Sequence, residues 1–521
     1  MKPRFLAIFL VISLVNSTIS LAQEAQRQGH GPSKAKSETY TFHYDQLLGT
    51  SGELRVTCDS PEAADSIEKT VINEIDRLTA ILSSYDPQSE FSNWSASGSS
   101  QPQKVSTELF KALASAETWN QKSSGAFSAT AEVVSKLWKD AAKTGQLPID
   151  LAKKAAIQKA AMPAWKLDVS RQTAARLGDT PITLDALAEG QIIDAVVERV
   201  RHAHPQVKGL LLNLGGDIGV FGEMTHTVAI ADPAHSAENA RPLCRAQLQN
   251  QSLVTSGGYH KGSEIAGRWY SHIVDPRTGK PTGHVRSASV IAAKAIDADA
   301  LATILCVLPI DEGLALIEKH AGAECFIVDA QGGLHSSSGW SKYELPSLER
   351  SQFTSTPISE DAKFDLEIEV EINKPGAARG YRRPYVAVWI EDKDNLPVRT
   401  IAVWTQRGGP GPRWLPDLKK WYKSDQLRKL ADGTEIIDTV SSATKAPGKY
   451  KLIWNGLDDA GKPVKPGKYT LFIEAAREHG TYQVIRSQQE FGDKPFKSEL
   501  KGNEEIKGVT LDYRQSAATS K

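Results

Sequence analysis

Apolar residues at helical spacing mark residues 63–82, where Ile67, Val71, Ile75, Leu78 and Ile81 share one face of an amphipathic helix. The same period predicts a helix over 106–123 and another over 192–202. Elsewhere the period drops to two, and residues 53–58, 289–293 and 325–329 read as strands. Residues 209–213 form an unbroken apolar run, as in a strand covered on both faces, and 214–219 then turn sharply on glycines. A helix is predicted over 299–308 with Asp297 as its cap. Residues 38–345 therefore read as one α+β unit.

The pattern changes after 345. Residues 346–362 are polar and aperiodic, which suits a linker. Beyond them lie short alternating runs at 364–372, 385–390, 398–404, 450–454, 469–474 and 483–487. That spacing predicts an all-β, immunoglobulin-like sandwich over 363–515. Two copies of Pro-Gly-Lys-Tyr, ending at Tyr450 and Tyr469, each launch a strand and predict two turns of similar geometry. Trp389, Trp404, Trp421 and Trp454 are expected in the core; Trp414, in a Gly-Pro-Arg-Trp-Leu stretch, is open to a shielding or partner role.

Composition narrows the class. The 521 residues carry 62 basic and 62 acidic side chains, so no global field favours nucleic acid. Lys2 and Arg4 precede an apolar run over 5–15 and the small-residue end Ser20-Leu21-Ala22. This predicts a cleaved signal peptide over 1–22, a disordered stretch over 23–37, and a bacterial periplasmic destination. The apolar run is too short to span a bilayer comfortably. Cys58, Cys244, Cys306 and Cys325 lack metal or dithiol spacing, and the sequence does not say whether any two pair.

Candidate chemistry comes last. No GxGxxG, GxxxxGK[ST] or HExxH motif is present. Asp299 and Thr303 lie four residues apart on one helix face and offer a carboxylate and a hydroxyl, donors of the type that hard divalent cations take. SHIVDPRTGKP, residues 271–281, reads as a strand end at His272-Ile273-Val274 that breaks at Asp275-Pro276 and bends again at Thr278-Gly279. Alone it is equally an architectural turn.

The company of this turn decides its reading. Leu48-Gly49-Thr50, SSYDPQSE (83–90), SSGAFSAT (123–130), LDALAEGQIID (184–194), LNLGGDIGVFG ending at Gly222, VTSGGY (254–259), YSHIVDPRTGKP and ADALAT (298–303) occur in one order. That series resembles the ApbE family of FAD:protein FMN transferases over most of 39–345. The resemblance implies FAD as substrate, Mg²⁺ as cofactor, and transfer of FMN through a phosphodiester to a Thr or Ser hydroxyl of a target protein. It implies His272 as the base. Metal ligands would be Asp299, Thr303 and carbonyls of Ala186 and Ile296. Nucleotide contacts would come from Leu48, Tyr85, Ala126, Phe127, Ser128, Thr183, Glu189, Gly215, Gly216, Asp217, Ser256, Gly257, Ser271, His272, Asp275 and Thr278. Thr183 and Ser128 stand where the family usually has Asp, and Glu189 where Lys is common. In the second unit, Asp438-Thr439-Val440-Ser441-Ser442-Ala443-Thr444 resembles the acceptor pattern of such transferases, with Ser442 at the usual Gly. The unit itself resembles a small periplasmic module that accompanies them. Thr444 is the implied acceptor, on a loop that Lys445 through Gly448 should keep in an exposed turn; the flavin-bearing domain would pass electrons to a redox partner. Two other readings remain: Mg²⁺-dependent hydrolysis of FAD to FMN and AMP, and a non-enzymatic flavin-binding protein.

Overall fold

The structure, a computed structural model, describes residues 37–346 and 364–515 apart from 99, 236, 260, 374–382, 406–414, 433–440, 443, 478–479 and 503. The signal peptide, nearly all of the 23–37 stretch, residues 347–362 of the linker and Trp414 lie outside the described residues. Ser37 is described and donates to Asp59 at 2.8 Å. No described helix is long and apolar enough to cross a membrane.

The first unit is built on an eight-stranded sheet whose spatial order follows chain order. Its strands are β1 (Glu38–Leu47), β2 (Thr50–Cys58), β3 (Gly209–Leu214), β4 (Asp217–Gly222), β5 (Ser252–Gly257), β6 (Val285–Ala292), β7 (Glu324–Asp329) and β8 (Leu334–Ser336). Every neighbouring pair is antiparallel. Leu210 and Leu212 of β3 face the helices, while Leu211 faces a hairpin formed by His226–Ile230 and Cys244–Leu248. Both faces are covered, which explains the unbroken apolar run.

Helices α1 (Pro61–Leu82), α2 (Asp185–Ala203) and α3 (Ala295–Val307) line the helical face. Two starts differ from expectation. α2 begins seven residues before the predicted segment and takes the LDALAEG motif into its first turns. α3 begins at Ala295 with no side-chain cap of its own, so Asp297 lies inside the first turn. The cap comes from α2: the Asp194 carboxylate accepts Ala295 N at 2.8 Å and Ile296 N at 3.1 Å. Burial pushes that carboxyl up to about 6. Where α2 passes this helix end, a Cβ on Gly190 would sit 2.6 Å from Ala295 O, so only glycine allows the approach.

The second unit packs two sheets face to face. β9 (Phe364–Ile372), β13 (Gly448–Trp454), β16 (Phe496–Lys501) and β17 (Ile506–Gln515) order as β13-β9-β17-β16. β10 (Tyr385–Glu391), β11 (Pro397–Trp404), β12 (Ser441–Ser442), β14 (Gly467–Ala476) and β15 (Tyr482–Phe491) order as β12-β11-β10-β14-β15. Leu366, Ile368, Val388, Ile390, Leu452 and Ile473 fill the space between. The two Pro-Gly-Lys-Tyr turns match in detail. Tyr450 donates its hydroxyl to Ala446 O at 2.8 Å, and Tyr469 to Lys465 O at 2.7 Å.

A helix, α4 (Lys419–Asp432), covers the outer face of the five-stranded sheet. Buried Glu474 accepts Lys420 N at 2.8 Å, Trp421 N at 2.7 Å and the Tyr482 hydroxyl at 2.6 Å, which satisfies the start of that helix. Trp389, Trp404, Trp421 and Trp454 are all buried, as expected.

All four cysteines are buried and unpaired. The units touch through residues 238–239, which pair with β13, and through Arg383, which donates to Tyr44 O at 2.9 Å and Thr444 O at 3.3 Å.

Candidate active site at one end of the sheet

Antiparallel order puts three connections at the same end of the first sheet. The β1–β2 turn holds Leu48-Gly49, the β3–β4 turn holds Gly215-Gly216, and β5 ends at Ser256-Gly257. Gly215 and Gly216 have φ of 61° and 114°, the left-handed values that a two-residue hairpin requires. Leu48, with φ 57°, holds such a value without being glycine.

The loops arriving at this end are tied by side chains. Ser84 and Tyr85 both donate to Asp185, at 2.5 and 2.8 Å, which fixes the SSYDP turn on the start of α2. Thr183 N donates to Ala129 O at 3.0 Å, and Phe127 N to Ser123 Oγ at 2.9 Å, so the 123–130 loop meets the same helix start. Two of the three expected departures, Ser128 and Thr183, are thereby neighbours: Ser128 bonds Thr130 at 2.6 Å and shapes the turn that Thr183 joins. Gly125 abuts the Arg277 side chain, which brings the 271–281 segment to the cleft.

That segment differs from its reading. The strand Arg268–Ser271 stops before His272, and Val274–Asp275 pairs with Lys280–Pro281 as a separate hairpin. Asp275 shapes this hairpin: its carboxylate takes Arg277 N and Nε at 2.9 Å, and its carbonyl takes Thr278 N at 3.2 Å and Gly279 N at 2.9 Å. Thr278 is exposed on it. Ser271 bonds Ile273 N at 3.0 Å. His272 is thus free of any ladder. Its main-chain N–H donates to Lys261 O at 3.2 Å, and Nδ1 lies 3.0 Å from the same oxygen. A carbonyl only accepts, so the proton sits on Nδ1 and Nε2 keeps its lone pair. Partial desolvation of the ring, helped by the Lys261 and Lys139 cations, holds its pKa below the usual imidazole value.

Three acids lie close together, with Lys261 acting on two of them. Asp299 is 6% exposed, and its carboxylate receives Gly190 N at a long 3.5 Å. Burial first, then repulsion from Glu189, push its pKa well up. Asp217 is pushed up in the same way by burial, Asp299 and Glu189, and Lys261 opposes the shift. Glu189 is raised by burial, and Lys261 opposes this shift too. Thr303 meets Ser256 Oγ at 3.3 Å. Ala186 interrupts α2 with φ −84° and ψ 15° at the position assigned a metal-binding carbonyl. Ile296, the other assigned carbonyl, opens α3 beside it.

The residues fit a hard cation. A buried carboxylate with weak partners and acidic neighbours is costly until a positive charge joins it. Among the described residues no closed cage of three or more His, Cys, Asp or Glu exists. A cation here would therefore rest on Asp299, Thr303, carbonyls and oxygens of a ligand.

Sequence reasoning missed Asp185, Asp194 and Lys261. The two aspartates lay inside the LDALAEGQIID string and carried a visible signal. Lys261 acts through its backbone carbonyl and long side chain, and nothing in its local pattern marked it.

Thr444 is 4% exposed rather than on an open turn. Ser441–Ser442 pairs with β11, and Lys445 lies over the Trp404 and Tyr450 rings while bonding Glu238 at 2.5 Å. Contact with the first unit closes what the sequence left exposed. Asp438, Thr439, Val440 and Ala443 lie outside the described residues.

Two solved structures share the fold of the first unit. The ApbE protein of Thermotoga maritima superposes with a TM-score of 0.52 at 22% identity, over 59% of this chain and all of that one. The flavin transferase ApbE of Vibrio cholerae does so with 0.50 at 20%, over 59% and 99%. In sequence, a Treponema pallidum protein named FAD:protein FMN transferase is 28% identical over 313 residues, covering 56% of this chain and 85% of that protein. The Escherichia coli K12 protein of the same name is 24% identical over 311 residues, covering 58% and 87%. The ApbE family profile matches residues 48–327, and the chain belongs to that family. Residues 365–508 match a second profile, described as a predicted periplasmic protein of unassigned function, DUF2271.

Proposed function

We propose that this protein is an exported, Mg²⁺-dependent FAD:protein FMN transferase that modifies Ser or Thr hydroxyls of target proteins, including Thr444 of its own second unit. The observation that carries the reading is His272: its Nδ1 is tied to the Lys261 carbonyl, which leaves Nε2 with its lone pair, and the Lys261 cation beside it also acts on Asp217 and Glu189. In this reading the turns at Leu48 and Gly215-Gly216, with Tyr85, Ala126–Ser128 and Thr183, enclose FAD. Ser256 and Gly257 bring backbone close to its diphosphate.

His272 Nε2 takes the proton of the acceptor hydroxyl. The acceptor oxygen forms a bond to the FMN phosphorus, the phosphoanhydride P–O bond breaks, and AMP leaves with the electron pair. Mg²⁺ held by Asp299, Thr303 and the Ala186 and Ile296 carbonyls would neutralise charge on the diphosphate. Asp299 offers it a single buried carboxylate.

The match to a periplasmic domain supports export to the periplasm. A second unit carrying FMN would serve as an electron carrier toward a redox partner. Intact mass after incubation with FAD and Mg²⁺ tests the reading. An FMN-sized increment on the wild type, absent in Thr444→Ala, is expected. Free FMN and AMP with no increment would make the protein a hydrolase instead. Bound but unchanged FAD would make it a binding protein.

A further inference from the structure

β13 is an edge strand, with main-chain groups of Lys451 and Ile453 pointing away from its sheet. Such an edge is a template for pairing. Residues 238–239 of the first unit take it. Glu238 N donates to Lys451 O at 2.8 Å. Asn239 Nδ2 donates to Ile453 O at 2.8 Å, and Ile453 N donates back to Asn239 Oδ1 at 3.0 Å. One side-chain amide thus imitates the paired N–H and C=O of a neighbouring strand. The two-residue spacing between Lys451 and Ile453 is that of groups on one strand edge, so the contact selects a register. The Lys445–Glu238 ion pair, 2.5 Å long, adds a charge match one residue after Thr444.

Asp232, on the same segment, is close enough to Tyr259 to help raise its phenol pKa, and Tyr259 follows Ser256-Gly257-Gly258. On the far side Arg383 joins Thr444 O to Tyr44 O, a few residues before the Leu48 turn on β1. Thr444 is therefore held between the Lys445–Glu238 pair and the Arg383 bridge to Tyr44, and Tyr44 lies near the active end of the sheet.

We infer that Glu238 and Asn239 form a docking ledge on which the transferase unit seats an acceptor domain by pairing with its edge strand. This rests on the reading of Thr444 as acceptor. The ledge raises the effective concentration of Thr444 at the cleft, so that the chain modifies itself in cis. The docked arrangement supplies nearness, and transfer requires the Thr444 hydroxyl, buried in it, to reach the cleft. The occupant is the second unit of the same chain, whose Lys445 supplies the matching charge.

The test uses the full-length protein with FAD and Mg²⁺. It compares wild type with Asn239→Ala, which removes both amide bonds from an exposed position, and with Asn239→Asp, which keeps the acceptor only. Three quantities are read: hydrogen exchange of the β13 segment containing Ile453, the rate of FMN addition to Thr444 at several protein concentrations, and the rate on a separate peptide of residues 438–445. Asn239→Ala should speed exchange and slow Thr444 modification about tenfold or more, with a rate constant that rises with protein concentration. Asn239→Asp should fall between, and the peptide rate should not change. Wild-type modification of Thr444 that Asn239→Ala leaves untouched overturns the ledge alone. A wild type with no FMN on Thr444 overturns the acceptor reading, and the ledge as an acceptor site with it. An unchanged exchange rate in Asn239→Ala removes the docking contact itself.

Discussion

At the scale of single residues, the site depends on groups that shape other groups. His272 has a defined tautomer because Lys261 O accepts from Nδ1. Its pKa is held down by desolvation, so the neutral ring persists to lower pH than a free imidazole. FMN transfer by the wild type should therefore stay level above about pH 6.5 and fall only as acid protonates Nε2, with its midpoint below that value. His272→Gln should lower the rate by roughly 10²–10⁴ with the melting temperature retained, and initial rates across pH in both proteins check this. A midpoint above the ordinary imidazole value would remove His272 from the role of base. His272, Asp299 and Thr303 were legible as residue types with a chemistry. Asp194 stood inside a visible motif, but its task was not legible, because it satisfies amides more than 100 residues away, a relation no local pattern records.

At the scale of elements, periodicity was a good guide wherever one face of an element is apolar. α1 and β3 are examples, and the predicted bounds of α1 fell within two residues of the observed ones. It failed for α4, whose sequence KKWYKSDQLRKLAD contains few apolar residues. That helix buries Trp421 together with Ser424, Asp425 and Arg428, and its start is held by the Glu474 carboxylate from β14. Replacing Glu474 with alanine leaves two amides and the Tyr482 hydroxyl without their acceptor. A loss of about 3 kcal/mol in the second unit's unfolding free energy is expected, read from denaturant midpoints. Glu474→Gln, which keeps one acceptor oxygen, should lose less. Equal losses in the two variants would mean that packing of Trp421, not the carboxylate, seats the helix.

At the scale of the whole molecule, two units and their order were readable from a polar stretch between two kinds of period. Their contact was not. The loop after Ser442 looked open because its own residues are small and polar; what closes it is Glu238, Arg383 and Tyr44, from other parts of the chain. The four cysteines carry a different consequence. Burial raises every thiol, with Cys244, Cys306 and Cys325 each pushed up to about 12, so thiolate is scarce at neutral pH and no covalent cross-link braces either unit. The melting temperature should be the same with and without dithiothreitol, and a drop on reduction would reveal a bond this fold does not contain. For production, this means the described units can be made in a reducing cytoplasm, with no oxidase or isomerase to help them, and still reach their native state.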